Sequence, residues 1–234
     1  MNPHLRIAIT GGTSGLGLAL VSELVRRGAD VAFVARTRVR VEEVRRAFPG
    51  TVGLVGDVSS KEDIYPIALQ IVGNLGGVDV LVNNASSLGP VPLVPLADTE
   101  CEDFERALAT NVLGPFRLTK ALLGSLAASA REGRGGLVVN ITSDAAVSAY
   151  ARWGAYGASK AALAHLSRIW DEELALEGVH VASIDPGDMD TPLHAIAVPE
   201  ADRSTLKRAE TAAREVADAI VAHIVRVRTA EVHA

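Results

Sequence analysis

The sequence predicts an α/β protein with one doubly wound parallel sheet of six or seven strands, flanked by helices on both faces, in a single domain over residues 1–234. Three observations predict it. Short apolar, β-branched runs alternate along the chain with helical stretches, the order that a parallel sheet with crossover helices requires. Those runs are nearly continuous in apolar residues, as strands covered on both faces must be. The length of 234 residues, 48% hydrophobic and 22% charged, suits one large α/β domain and leaves little for a second.

Taken in order, strands are predicted at 5–10 (LRIAIT), 30–35 (DVAFVA), 51–56 (TVGLVG), 78–83 (VDVLVN), 136–142 (GLVVNIT) and 179–184 (VHVASI). Helices are predicted near 15–28, 38–48, 60–75, 99–130, 155–177 and 212–226. Gly28 and Gly178 stand where helix C-terminal glycines belong, just before the next strand. Residues 186–210, with Pro186, Pro192 and Pro199, form the least regular stretch and follow the sixth strand. Loops at the carboxyl ends of such strands carry the ligand site, so 186–210 is the expected substrate loop or lid.

Composition excludes several classes. A net charge of −5 argues against a protein whose main partner is nucleic acid. Cys101 is the only cysteine, so neither an intramolecular disulfide nor a cysteine metal site is available. The six histidines are scattered, with no HExxH and no metal-ligand spacing. No apolar run approaches the roughly 18 residues of a membrane span. The N-terminal MNPHLRIAIT has no signal-peptide pattern, and the expected location is the cytoplasm. Asn84-Ala85-Ser86 and Asn140-Ile141-Thr142 match the glycosylation pattern but are discounted, one lying in a predicted buried strand.

The first strand runs straight into Thr10-Gly11-Gly12-Thr13-Ser14-Gly15-Leu16-Gly17, and a helix follows. Glycine serves three needs here: a tight turn, close backbone approach to a pyrophosphate, and close helix–strand packing. The helix N-terminus then offers free N–H groups and a positive dipole end to phosphate. An ordinary βα turn is the bland alternative, but the place at the start of a βαβαβ pattern favours a Rossmann-type dinucleotide loop. A Walker loop would need Lys at Leu18, and a hydrolase elbow on Ser14 would need Gly at Leu16. Asp57 ends the third strand, either as a turn residue or, with the Val58 backbone, as a holder of adenine. Asn83-Asn84-Ala85 ends the fourth strand at the same edge.

Tyr156 and Lys160 lie four apart, on one face of a helix. A free tyrosine, with a pKa near 10, is a poor base at neutral pH, and an adjacent ammonium favours the phenolate. Ser143 follows the fifth strand, at the sheet edge where the glycine loop opens, where a hydroxyl can fix a substrate oxygen against Tyr156.

Together these residues resemble the short-chain dehydrogenase/reductase superfamily over most of the chain. TGGTSGLG (10–17) is similar to its TGxxxGxG, GDV (56–58) and NNA (83–85) to its adenine and strand-four motifs, and PGDMDT (186–191) to its PGxxxT. Asn111, Ser143 and the pair Tyr156 and Lys160 match its Asn-Ser-Tyr-Lys set. The resemblance implies an oxidoreductase that interconverts an alcohol and a carbonyl compound by direct hydride transfer. Tyr156 would exchange the alcohol proton, and Lys160 would lower its pKa and bind ribose hydroxyls. Ser143 would orient the carbonyl, and Asn111 would hold a water linking Lys160 to solvent. Gly11, Thr13, Ser14, Gly15, Leu16, Gly17, Arg36, Asp57, Val58, Asn84, Ala85, Pro186, Gly187 and Thr191 are the expected cofactor residues. Leu88, Asp144, Tyr150, Trp153, Met189 and Leu193 are expected from loop position around the substrate.

Two departures stand out. The family usually has glycine where this chain has Ser86, and usually has a final strand where only VRTAEVHA (227–234) is available, so the seventh strand is expected to be short or missing. A homodimer through the helices at 99–130 and 155–177 is expected. At the end of the second strand Ala35 stands where NAD-specific relatives carry an acid, and Arg36, with Arg38 as a possible addition, offers donors to a 2′-phosphate. The expected cofactor is therefore NADP(H) in preference to NAD(H). A non-catalytic dinucleotide sensor would lack one of the four catalytic groups, all of which are present. A dehydratase or epimerase of the same family would carry a longer C-terminal substrate region.

Overall fold

The computed structural model describes residues 4–231. Six parallel strands, β1 (Arg6–Thr10), β2 (Asp30–Ala35), β3 (Val52–Val55), β4 (Val80–Asn83), β5 (Leu137–Ile141) and β6 (His180–Ile184), form one sheet in the order β3-β2-β1-β4-β5-β6. The reversal of strand order between β1 and β4 opens a crevice at the carboxyl edge, where such sheets bind ligands. Register places Ile9 between Phe33 and Val82, in the centre of the core.

Helices cover both faces, as the continuous apolar strands require. One core layer packs α1 (Gly15–Arg26), α2 (Arg38–Ala47) and α8 (Ala209–Glu231) on the sheet through Leu20, Val41 and Val216. The other packs α3 (Lys61–Leu75), α5 (Gly114–Arg131) and α6 (Gly154–Leu174) through Ile67, Leu122 and Leu174. Gly28 and Gly178 take positive φ of 82° and 71°, as expected of residues that end helices.

Two expectations are corrected, and the last helix is longer than expected. The helix expected at 99–130 is α4 (Cys101–Leu108), a π-helical turn over Ala109–Leu113, and then α5. Pro115 has no N–H to give to the carbonyl of Asn111, and Gly114 N–H bonds back to Ala109 O, widening the turn. The stretch 186–210 is more ordered than expected. Its β7 (Met189–Asp190) pairs in parallel with β8 (Lys207–Arg208), and α7 (Pro192–Ala197) lies between them. Among the described residues no seventh strand joins the large sheet: α8 runs on to Glu231, beyond the expected 226, and 232–234 lie outside the described residues.

Candidate active site

A cavity of about 960 Å³ opens at the carboxyl ends of the strands. Every expected cofactor residue lines it, from Gly11 and Thr13 through Arg36, Asp57, Asn84 and Ala85 to Pro186, Gly187 and Thr191. Ser143, Tyr156 and Lys160 line it too, with all six residues expected around a substrate.

The glycine loop is shaped by contacts only glycine permits. Gly11 has φ of 72°, a left-handed value, and its N–H bonds to Val34 O at 2.8 Å. A Cβ on Gly17 would overlap the Gly11 carbonyl oxygen and Asn84 Nδ2. Asn84 stitches the end of β4 to this loop, donating through Nδ2 to Thr10 O at 2.9 Å, while Thr10 Oγ1 accepts from the N–H groups of Asn84 and Ala85. The N-cap residue of α1, Ser14, makes no side-chain capping bond, so the first N–H groups of that helix face the cavity without one.

At the far end of β2, Arg36 and Arg40 line the cavity and Arg38 does not. Arg38 is the first residue of α2, and the second arginine on the cavity wall is Arg40 instead. Asp57 fills the turn role weighed for it: Oδ1 accepts from Ser59 N–H at 2.9 Å and from Ser59 Oγ at 2.7 Å. Asn140 is buried within β5 and donates to Ser167 Oγ, in keeping with its dismissal as a glycosylation site.

Tyr156 sits in the first turn of α6, edge-on to Trp153 with ring centroids 5.6 Å apart. Burial pushes its phenol up to about 12, helped by the charges of Asp185 and Asp144 and opposed by the polarity of the Ser143 and Ser86 hydroxyls. The net lowering expected from Lys160 is not found. Lys160 is itself buried, donates to Ile141 O at 2.7 Å, and has its Nζ 5.5 Å from the centre of the Tyr156 ring. Burial lowers its ammonium to about 8.

Ser143 Oγ accepts from Ala145 N–H and donates to Asp144 Oδ1 at 2.9 Å, while Tyr150 donates to Asp144 Oδ2 at 2.6 Å. These bonds hold the Asp144 carboxyl below its usual range, with Tyr150 the larger cause. Asn111 does not line the cavity. It lies fully buried behind it in the π turn, where Oδ1 accepts from Ser87 N–H at 2.8 Å and Nδ2 donates to Ser87 O and Ser159 Oγ. Ser86, Ser87, Arg40 and Asp185 are cavity residues that sequence reasoning did not place there. For Ser86 the signal was its departure from the family pattern.

Comparison with known proteins places the chain in a family. The profile of the family described as short chain dehydrogenase matches residues 6–201. The L-fucose dehydrogenase of Bos taurus is 33% identical over 187 residues, 80% of this chain and 67% of that protein. An uncharacterized oxidoreductase of Mycobacterium tuberculosis is 33% identical over 194 residues, 80% of this chain and 55% of that protein. The chain thus spans between about half and two thirds of the length of these relatives. The alcohol dehydrogenase of Thermococcus sibiricus, solved with 5-hydroxy-NADP, is 28% identical with a TM-score of 0.78 over 91% of this chain and 89% of that one. A 3-ketoacyl-(acyl-carrier-protein) reductase of Brucella melitensis shares the fold, with a TM-score of 0.84 at 24% identity over 93% of this chain and 91% of that one. Among the described residues no helix is long and apolar enough to cross a membrane, and no acidic, histidine or cysteine cluster could hold a metal. With a family profile matched from the first strand to beyond the sixth, the chain belongs to the short-chain dehydrogenase family and is an oxidoreductase acting between CH–OH and C=O groups.

Proposed function

We propose that the chain interconverts an alcohol and a ketone or aldehyde with NADP(H) as preferred cofactor and NAD(H) as the weaker one, using Ser143, Tyr156, Lys160 and Asn111 to manage the proton. The observation that carries this reading is that the Tyr156 phenol, the Ser143 hydroxyl and the Lys160 ammonium share one cavity with the glycine loop.

The residues present fit a nicotinamide dinucleotide. Gly11 and Gly17 bring backbone close to where a pyrophosphate would lie, and the uncapped start of α1 supplies N–H groups and a positive dipole end. No carboxylate stands at the end of β2, where one would repel a 2′-phosphate, and Arg36 and Arg40 supply charge of the opposite sign. When bound, the cofactor supplies or accepts the hydride at the substrate carbon.

The protein's part is to orient the substrate and move a proton. In reduction, Ser143 and Tyr156 hold the carbonyl oxygen, and the neutral phenol, kept protonated by burial, gives that oxygen its proton. The Lys160 ammonium, still largely charged at pH 7, offsets the phenolate left behind. In oxidation the same phenolate takes the alcohol proton. Asn111 holds the end of β4 and α6 together through Ser87 and Ser159. The same reading makes the enzyme a cytoplasmic homodimer.

The test begins by screening ketones, quinones, sugars (L-fucose among them) and keto-acyl compounds for oxidation of NADPH. On a confirmed substrate, Tyr156→Phe keeps cofactor affinity and loses at least about 10²-fold in turnover, the size of a lost acid–base contribution. Turnover near wild type in that variant overturns the assignment.

A further inference from the structure

Asp144 directly follows Ser143 and lines the same cavity. Its carboxylate is held at both oxygens: Ser143 Oγ donates to Oδ1 at 2.9 Å, and the Tyr150 phenol donates to Oδ2 at 2.6 Å. Ser143 Oγ in turn accepts from Ala145 N–H at 3.2 Å. The one proton of Ser143 is thus committed to a charged acceptor, and a substrate carbonyl receives it only when Asp144 gives it up. A charge-assisted bond is roughly twice as strong as a neutral one, so its loss calls for a replacement donor. The carboxylate has room for one, since about four acceptor positions are shared by these two donors.

The cavity supplies no such donor at hand. Leu88, Met189 and Leu193 line it without a polar hydrogen, the Lys160 ammonium is taken by Ile141 O, and Arg106 is ion-paired with Asp103. The substrate itself can supply one. Ser143 Oγ and Asp144 Oδ1 stand 2.9 Å apart, and two oxygens on neighbouring carbons in a staggered gauche arrangement are separated by about 3 Å. A reacting oxygen on Ser143 therefore brings an oxygen on the next carbon to Asp144.

We propose, building on the function argued above, that Asp144 is a specificity-determining residue that selects substrates with a hydroxyl on the carbon next to the reacting carbonyl, and rejects those with a carboxylate there. The substrate class is then vicinal hydroxyketones and the diols they form. The substrate hydroxyl donates to Asp144 Oδ1, the Ser143 O–H rotates onto the reacting carbonyl oxygen, and every donor keeps an acceptor. No covalent bond changes in this exchange. A plain ketone draws the Ser143 proton off the carboxylate and puts nothing in its place. An α-carboxylate meets a second negative charge, to which Asp185 and Asp188 on the same cavity wall add.

The experiment measures kcat/KM with NADPH for acetoin, butanone and α-ketobutyrate, ketones of matched size, in the wild type, Asp144→Ala and Asp144→Asn. The wild type favours acetoin over butanone, and α-ketobutyrate is the poorest. In Asp144→Ala the acetoin-to-butanone ratio falls by about 10- to 100-fold, the value of one hydrogen bond to a charged group, and the handicap of α-ketobutyrate shrinks. Asp144→Asn keeps an acceptor without the charge, so the ratio falls less while the handicap shrinks as far as in alanine. Comparing ratios between variants cancels the reactivity of each ketone and any general loss of rate. An acetoin-to-butanone ratio that is the same in wild type and Asp144→Ala overturns the proposal, as does a wild type that prefers butanone or α-ketobutyrate. A wild type that reduces other ketones but none of these overturns the substrate class and leaves the general function standing. If it reduces no ketone at all, the functional reading fails by itself, and ligand-observed NMR with NADP⁺ present decides the Asp144 assignment. Vicinal butanediol then binds the wild type at least about tenfold more tightly than Asp144→Ala. Equal binding, or none to either, overturns the assignment.

Discussion

Arg36, Arg38 and Arg40 look alike in the sequence, yet only Arg36 and Arg40 line the cavity. Their position also runs against helix electrostatics: the first turn of α2 has no acidic residue and carries arginines near the positive end of the helix dipole. That arrangement costs a little stability, which a bound 2′-phosphate would offset under the proposed NADP(H) preference. Arg36→Ala and Arg40→Ala should each lower kcat/KM with NADPH by about 10- to 100-fold, the value of one bond to a charged group, with little effect on NADH. Arg38→Ala should behave as wild type with both cofactors. Steady-state kinetics on one substrate checks all three, and an equal loss with NADH would remove the basis for an NADP(H) preference. Arg36 was legible as a cavity residue because it directly follows the second strand, at the carboxyl edge of the sheet. Arg40 was not, because whether a side chain one turn into a helix reaches back to the crevice depends on how that helix is tilted.

At the scale of elements, the strands and the glycine loop were legible because each obeys a local rule: continuous apolar runs between helices, and glycine where no Cβ fits. Gly17→Ala tests the loop. Its methyl would overlap Gly11 O and Asn84 Nδ2, so the loop must open and α1 must move from the pyrophosphate position. NADPH affinity should fall at least about tenfold, the equivalent of roughly 1.4 kcal/mol, with the circular dichroism spectrum retained. Unchanged affinity in a calorimetric titration would show that the loop does not need its tight form. The π turn at Asn111 was not legible from periodicity, which reads 99–130 as one helix. The signal was Pro115, four residues on, which removes the donor to the Asn111 carbonyl. The start of α6 was legible to within one residue, 155 expected against Gly154 observed, but what holds it there was not. Arg152 takes a positive φ of 73° and binds Leu93 O through Nε at 2.9 Å, a long-range tie just before the helix that carries Tyr156.

At the scale of the whole molecule, the outer faces of α5 and α6 leave apolar surface uncovered. Leu113 and Ile169 are each 41% exposed, beside the half-buried pair Phe116 and Trp170, whose rings lie 5.3 Å apart. Leu163, on the same helix as Ile169, is a core residue and takes no part in that surface. Light scattering should find a dimer for the wild type and a monomer of unchanged circular dichroism for Ile169→Glu. A wild-type monomer at micromolar concentration would rule the dimer out.

The edge of the sheet opposite the cavity is held by a different kind of contact. Asp79, just before β4, is fully buried and accepts from Arg6 N–H at 2.8 Å, Arg6 Nη2 at 2.6 Å, Ser129 Oγ at 2.7 Å and Arg134 Nη2 at 3.2 Å. It joins the start of β1, the start of β4 and the end of α5 far from the reacting groups, so its loss should alter stability without altering chemistry. Burial alone would raise its pKa, but Arg6, Ser129 and Arg134 together bring it down to about 2 from the ordinary 3.8. A depressed carboxylate stabilises the fold above its unfolded pKa, and the contribution fades as pH falls from about 4 through about 2. The difference corresponds to about 2 kcal/mol at pH 7, of which roughly half is gone by pH 3. Asp79→Asn removes the charge and leaves Arg6 and Arg134 without their shared partner, so urea unfolding at pH 7 should show a loss of about 3 kcal/mol. That deficit should shrink by about 1 kcal/mol at pH 3, because the wild type has by then lost part of the same stabilisation. A deficit of the same size at both pH values would mean that Asp79 acts through shape and neutral hydrogen bonds rather than through its charge.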